Sequence, residues 1–186
     1  MSGVIAIFAP FLWTKDPTSL APALRTREPG AQFWFGSDML GRDVYSRVLY
    51  GARVSLLVGF SVAFFASVIG LAIGLFSGFI RLADSIVMRV MDGLMAIPAI
   101  LLALSMVALL NAGLSTVIVA IVITEIPRVV RLVRSVVLSV REEPYVEAAI
   151  SVGTPTPVLL IRHILPNTIA PLIVQTTYIA AHAILV

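Results

Sequence analysis

Residues 54–80, VSLLVGFSVAFFASVIGLAIGLFSGFI, run for 27 positions between Arg53 and Arg81 without a charged side chain. Crossing about 30 Å of hydrocarbon takes about 20 apolar residues in helical form, so this stretch reads as one tilted transmembrane helix. The whole composition agrees with it. Of 186 residues, 59% are hydrophobic and 12% charged, with a mean hydropathy of +1.04, where a soluble domain carries about 25% charged residues. The expected fold is an all-α membrane protein: a single polytopic helical bundle of about 4–5 transmembrane helices, with no room for a separate catalytic domain. Cysteine is absent, which removes a disulfide framework and a thiolate metal site. The net charge of +3 fits loops that meet lipid headgroups, and no basic-and-aromatic groove pattern points to nucleic acid.

Working outward from residues 54–80, positions 93–124 are uncharged for 32 residues, too long for one upright helix. Asn111-Ala112-Gly113 supplies a polar, glycine-bearing break, so the spacing predicts two crossings, 93–110 and 114–133. The second passes Glu125 and Pro127 into Arg128, Arg131 and Arg134, three apart and broadly on one side. Residues 167–186 give a last membrane helix. Residues 1–13 are apolar but too few to span, and read as the remnant of a first helix. Residues 14–53 are polar and interrupted by Pro17, Pro22, Pro29 and Gly30, turning near Ser37 into an amphipathic helix with Asp38 as its cap. Gly70, Gly74 and Gly78 recur every fourth residue. Such a ridge lets another helix approach closely in lipid, and lining of a substrate path is the other role open to it.

Between the last two crossings, residues 141–166 form a polar, breaker-rich loop. Glu147-Ala148-Ala149 suits a short helix that a partner's backbone can approach. Gly153 permits the left-handed turn that ends it, and Leu165-Pro166 restarts the chain toward the bilayer. The E-A-A, three residues, G, eleven residues, L-P spacing resembles the cytoplasmic signature of permease subunits of bacterial ATP-binding-cassette importers. His163 stands where the general family pattern has Ile, and Arg162-His163-Ile164-Leu165-Pro166-Asn167 looks like the peptide and nickel branch. A second block, Gly36, Asp38, Gly41, Arg42 and Asp43 with Ser46-Arg47-Val48 after it, resembles the extracytoplasmic segment before the second membrane helix in C-type permeases of dipeptide and oligopeptide transporters.

The resemblance covers roughly residues 33–180. It implies a permease subunit in the bacterial cytoplasmic (inner) membrane, with Glu147, Ala148, Ala149, Gly153, Leu165 and Pro166 coupling it to an ATPase. It also implies a homologous B-type permease, two ATP-binding subunits and an extracytoplasmic solute-binding protein as partners. The solute is left open among dipeptides, oligopeptides, nickel chelates and glutathione. The family has six membrane helices, so the sequence reads as truncated at both ends. Charge bias does not orient the chain, since alternating crossings put six Lys/Arg on one face and seven on the other. The resemblance places residues 14–53 outside and 141–166 in the cytoplasm.

The chemistry missing from the chain narrows its function. There is no G-x-x-x-x-G-K-[ST] loop to cradle ATP, so hydrolysis belongs to a partner; there is also no G-x-S-x-G and no H-E-x-x-H. The chain is read as a transport subunit, not an enzyme, and no cofactor is expected. His163 and His182 stand alone, so no metal site is expected either. Glu125, the acid inside a crossing, is a candidate for an ion pair with Arg128 or for a relay or substrate ligand. It also sustains the alternative of an ion-coupled secondary carrier or channel subunit. Asp84, Arg89 and Asp92 fall on a linking helix suited to salt bridges or to the docking surface.

Overall fold

A computed structural model of the chain describes residues 16, 19–31, 33–110 and 113–185, apart from the side chains of Arg81 and Ala99. The expected first-helix remnant at 1–13 and the hairpin residues Asn111 and Ala112 lie outside them. Among the described residues every regular element is helical. After a 3-10 turn at Pro22–Leu24 come α1 (Val44–Phe79), α2 (Arg81–Ala96), α3 (Ala99–Leu109), α4 (Leu114–Arg141), α5 (Pro144–Ser151), α6 (Thr156–Leu159) and α7 (Leu165–Leu185). The chain divides into two compact units, one ending at Leu57 and one beginning at Val58, where the sequence reads as one domain.

In the first unit the chain reverses between Gly36 and Val44 and then enters α1. The helix begins at Val44 rather than near Ser37, and its cap is Asp43, not Asp38. Asp43 Oδ2 accepts from the Ser46 backbone N–H at 3.2 Å and from the Ser46 hydroxyl, satisfying donors that a first turn leaves free. A local pairing of Ser37 with Asp43 holds the preceding turn and fixes which aspartate meets the helix.

In the second unit α4 is the central element, packing against α2, α3 and α7 and against α1 through the glycine ridge. A Cβ on Gly70, Gly74 or Gly78 would come within 2.5, 2.7 and 2.8 Å of the Cβ of Val129, Val133 and Val137 respectively. Both ridges repeat every fourth residue, so α1 and α4 lie backbone to backbone along three turns. On its other side α1 meets α7. Ser67 and Thr176 share a hydrogen bond at 2.6 Å, and Gly59 faces Ala180 and Ile184. Val62, Ala66, Val129, Val133, Val137 and Ile179 form the buried centre.

Several boundaries differ from the sequence reading. The span expected at 93–110 is two helices bent by 86°, because Pro98 forces Ile97 into an extended conformation (φ −84°, ψ 122°) and ends α2. α4 runs to Arg141, well past 133, with Pro127 buried inside it. The last helix does not restart at Pro166. Pro166 cannot donate to the carbonyl of Arg162, and residues Leu160–Ile164 widen into a π turn in which the Leu165 N–H reaches the Leu160 carbonyl. The helix therefore continues from Thr156 to Leu185. By length and hydropathy, two helices are able to cross a membrane among the described residues, Val44–Phe79 and Thr156–Leu185, or three if the bent pair counts as one. α4 is long enough to cross as well, with Glu125, Arg128 and Arg131 set within its otherwise apolar part.

Glycines on these helices should respond to substitution in opposite ways. Gly74→Ala is expected to destabilise the protein by about 1–3 kcal/mol through overpacking against Val133. Gly93→Ala, where an added Cβ meets nothing within 4 Å, should stabilise it by about 0.4–1 kcal/mol. Thermal unfolding of the detergent-solubilised variants measures both.

Candidate functional site

The loop after α4 is built around one buried residue. Val146 is fully buried in the cluster that includes Val137, Val140, Leu159 and Ile164, and it fixes which face of α5 turns outward. Pro144 occupies the first turn, where its missing N–H is not needed, and Glu147 lies in that turn, where the helix dipole favours an acid. Glu147 and Ala148 are exposed, as are Ile150 and Val152, while Ala149 packs half-buried against the core.

At its far end α5 closes with a Schellman turn. The Gly153 N–H donates to the Ile150 carbonyl at 2.9 Å and the Thr154 N–H to the Ala149 carbonyl at 3.1 Å. Gly153 has φ +82°, and a Cβ there would meet nothing within 4 Å. Glycine is required at that position by backbone conformation, not by space.

Leu165 and Pro166 follow directly on the π turn within the continuous helix, Leu165 half-buried and Pro166 exposed. The two ends of the loop are joined by residues outside the E-A-A and L-P motifs. Asn167 Nδ2 donates to Tyr145 Oη at 3.1 Å and to the His163 carbonyl at 2.7 Å, and Tyr145 stacks on His163 with ring centres 6.4 Å apart. The histidine that departs from the general family pattern thus serves as a packing partner for Tyr145. Its link to residue 145 spans the loop, so no local sequence signal revealed it. Arg141 donates to the Phe79 carbonyl at 3.4 Å and lies over the Phe79 ring, bringing a cation to the C-terminus of α1.

The basic stripe of α4 is paired along its length. Arg134 forks onto Asp84 and Arg131 contacts Asp92, both acids on α2. Arg128 Nη1 lies 2.8 Å from Glu125 Oε1. Glu125 is 2% exposed and sits in the body of α4. His182 Nδ1 of α7 lies 3.5 Å from the same oxygen, while Glu125 Oε2 and His182 Nδ1 both lack a hydrogen-bond partner. Among the described residues no group of three His, Cys, Asp or Glu side chains is placed to hold a metal.

In the first unit Gly36, Asp38, Gly41, Arg42 and Asp43 form a single turn. Asp38 accepts from the backbone N–H groups of Leu40 and Arg42 at 2.8 and 2.9 Å, and pairs with the side chains of Arg42 and Arg47. Gly41 has φ +75°, and a Cβ there would fall 1.8 Å from the Ala21 carbonyl oxygen. Trp34 and Phe35 both pack on Tyr45, with ring centres 5.0 and 5.5 Å away.

Residues 52–185 match the family model of the binding-protein-dependent transport system inner membrane component. The chain belongs to that family. It is 53% identical, over 98% of its length, to a probable peptide ABC transporter permease of Sinorhizobium fredii, covering 62% of that protein. A dipeptide transport system permease of Alkalihalophilus pseudofirmus is 43% identical over 94% of the chain and 58% of its own length. A glutathione transport system permease of Pectobacterium atrosepticum is 39% identical, over 91% and 57%. The chain therefore spans about three fifths of the length of these family members. The family so described consists of inner membrane components of binding-protein-dependent transport systems.

Two measurements test this geometry. Gly153→Ala should cost about 1–2 kcal/mol, the penalty for a side chain in a left-handed conformation, and Gly153→Asn less; hydrogen exchange of residues 144–154 reads the difference. Asp38 is held well below the usual carboxylate range, first by the Arg42 backbone N–H, then by the Leu40 N–H and the Arg42 side chain, against the opposing effect of desolvation. A depressed folded-state pKa stabilises at pH values above the unfolded one, about 4, and that stabilisation is lost as pH falls further. Trp34 fluorescence in a Trp13→Phe background should shift on acidification below about pH 4, and Asp38→Asn should shift it already at neutral pH.

Proposed function

We propose that this chain forms a membrane-spanning permease subunit of an ATP-binding-cassette importer that carries peptides or a related small solute inward across the cytoplasmic membrane. It would pair with a homologous permease, two ATP-binding subunits and an extracytoplasmic solute-binding protein. Peptide transport is favoured by what the named relatives carry, since two of the three are peptide or dipeptide permeases.

The observation that carries the reading is α5, a short helix with its apolar Val146 buried and Glu147 and Ala148 presented outward. Small and acidic residues on a rigidly closed helix suit insertion into a cleft of a partner. Glu147 would give the charged contact, Ala148 the close approach, and Ala149 the support against the core. Gly153 fixes the turn, and Leu165 and Pro166 set the return into α7. α4 and α7 flank this loop, so a displacement of α5 reaches both membrane helices as rigid-body motion, the usual basis for switching between inward-open and outward-open states. Gly70, Gly74 and Gly78 keep α1 in register with α4. The segment with Gly36, Asp38, Gly41, Arg42 and Asp43 would lie outside the cytoplasm.

Glu147→Arg in the complete complex, reconstituted in proteoliposomes, is expected to lower ATP-dependent dipeptide uptake by tenfold or more, as loss of an interfacial charge contact costs about 2 kcal/mol. The ATPase subunits should also dissociate more readily while the permease remains folded. Unchanged uptake and assembly would remove Glu147 from the coupling contact.

A further inference from the structure

On the importer reading, in which residues 54–80 cross the bilayer, Arg128 lies level with the interior of that run. Gly70 meets Val129, which puts Arg128 beside Ile69, near the middle of the uncharged run 54–80. Roughly 16 Å of helix or more separates that level from either end of the run, so it falls inside the hydrocarbon of about 30 Å that the run crosses. Yet the Arg128 side chain is 43% exposed. Exposed charges at this depth face a water-filled path or the interior of an assembly, since a lipid-facing arginine there is too costly.

The surroundings of Arg128 are built for a polar occupant. Glu125, buried beneath it, engages Nη1 and so spends part of a guanidinium that carries five N–H donors. Across the α4–α7 contact are His182, its side chain 37% exposed, and Tyr178, 55% exposed and stacked on the His182 ring. Glu125 Oε2 and His182 Nδ1 are buried in the same place without a hydrogen-bond partner, so the fold keeps polar atoms just beneath the exposed Arg128. The other charges on α4 are engaged elsewhere: Arg131 with Asp92 and Arg134 with Asp84. Neither α3 nor residues 54–80 of α1 contribute an acid or base.

The geometry points to Arg128 as a solute-contacting residue at mid-membrane, which receives the carboxylate of the transported molecule while Glu125 positions it from behind. This rests on the importer reading above. A guanidinium fork matches a carboxylate in two parallel hydrogen bonds. Its partial neutralisation by Glu125 keeps the contact weak enough for release, which a transport path requires. A peptide with a free C-terminus presents that group, and a peptide amide does not.

The test uses the complete importer in proteoliposomes, with its binding protein saturated either by a dipeptide or by the same dipeptide as its C-terminal amide. The wild type should carry the acid faster than the amide. Arg128→Gln should slow the acid about tenfold, the worth of a hydrogen bond to a charged group, and leave the amide near its wild-type rate. An equal fall for both, or no acid preference in the wild type, overturns the assignment. Should Arg128→Gln fail to assemble, Arg128→Lys decides: a narrowed acid-to-amide ratio supports a bidentate contact, and an unchanged ratio overturns it. A wild-type complex that takes up neither solute with ATP overturns the importer reading itself, and this one with it.

Discussion

The close approach of α1 to α4 sets the rest of the second unit. In lipid, helices gain nothing by hiding apolar surface from one another, so their association rests on packing and on interhelical hydrogen bonds. Gly70, Gly74 and Gly78 remove the side chains that would hold the axes apart, and Val129, Val133 and Val137 fill the space left. Because both ridges keep the same spacing, the contact also fixes the rotation of α4. At about 100° per residue, Arg131 and Arg134 fall roughly 140–200° around the helix from Val129, facing α2 and its two acids. Glu125 and Arg128 fall on the other flank, toward α7. One packing constraint thus distributes the charges of α4 to different neighbours.

The same constraint governs the loop. Arg141, at the end of α4, reaches the last turn of α1, so the chain leaves for α5 from a point where two helix ends are tied. Val146 then inserts beside Val137 and Val140, and the Schellman turn at Gly153 sends the chain back. The π turn at Leu160–Ile164 is the local consequence of Pro166: the proline withholds a donor, and a wider turn restores the bonding. Regular α-helix on either side leaves this turn as the irregular element between the loop and α7, and wide turns of this kind recur at functional sites.

The sequence made some of this legible and hid the rest for identifiable reasons. Residues 54–80 were readable because length and lack of charge are one-dimensional properties. Gly153 was readable because a glycine after a short polar helix signals a left-handed turn, and the glycine ridge because its spacing is regular. Pro98 was hidden inside an apolar run, where hydropathy does not register a break in direction. The reach of α4 to Arg141 was hidden because Arg131 and Arg134 look like the exit of a helix until their partners Asp92 and Asp84, some forty and fifty residues away, are in place. Asp38 and Asp43 are equally good caps on paper. Only the pairing of Ser37 with Asp43 assigns one to the helix and the other to the turn. The contact of Tyr145 with His163 and Asn167 gave no signal, since it exists only once the loop has closed.

Glu125 shows how burial and exposure divide a role within one helix turn. A carboxylate alone at 2% exposure would be prohibitively desolvated. An arginine alone at the same depth would be drawn away from the apolar medium. Set three residues apart, each makes the other's position tenable, and the pair is close to neutral as a unit. The acid is the member driven inward, where α7 covers it, and the arginine is the member left at the surface with donors to spare. On the solute contact proposed above, a site built this way meets a polar solute without a net charge of its own. That is a physical reason for the acid to stand three residues before the arginine, rather than a neutral residue.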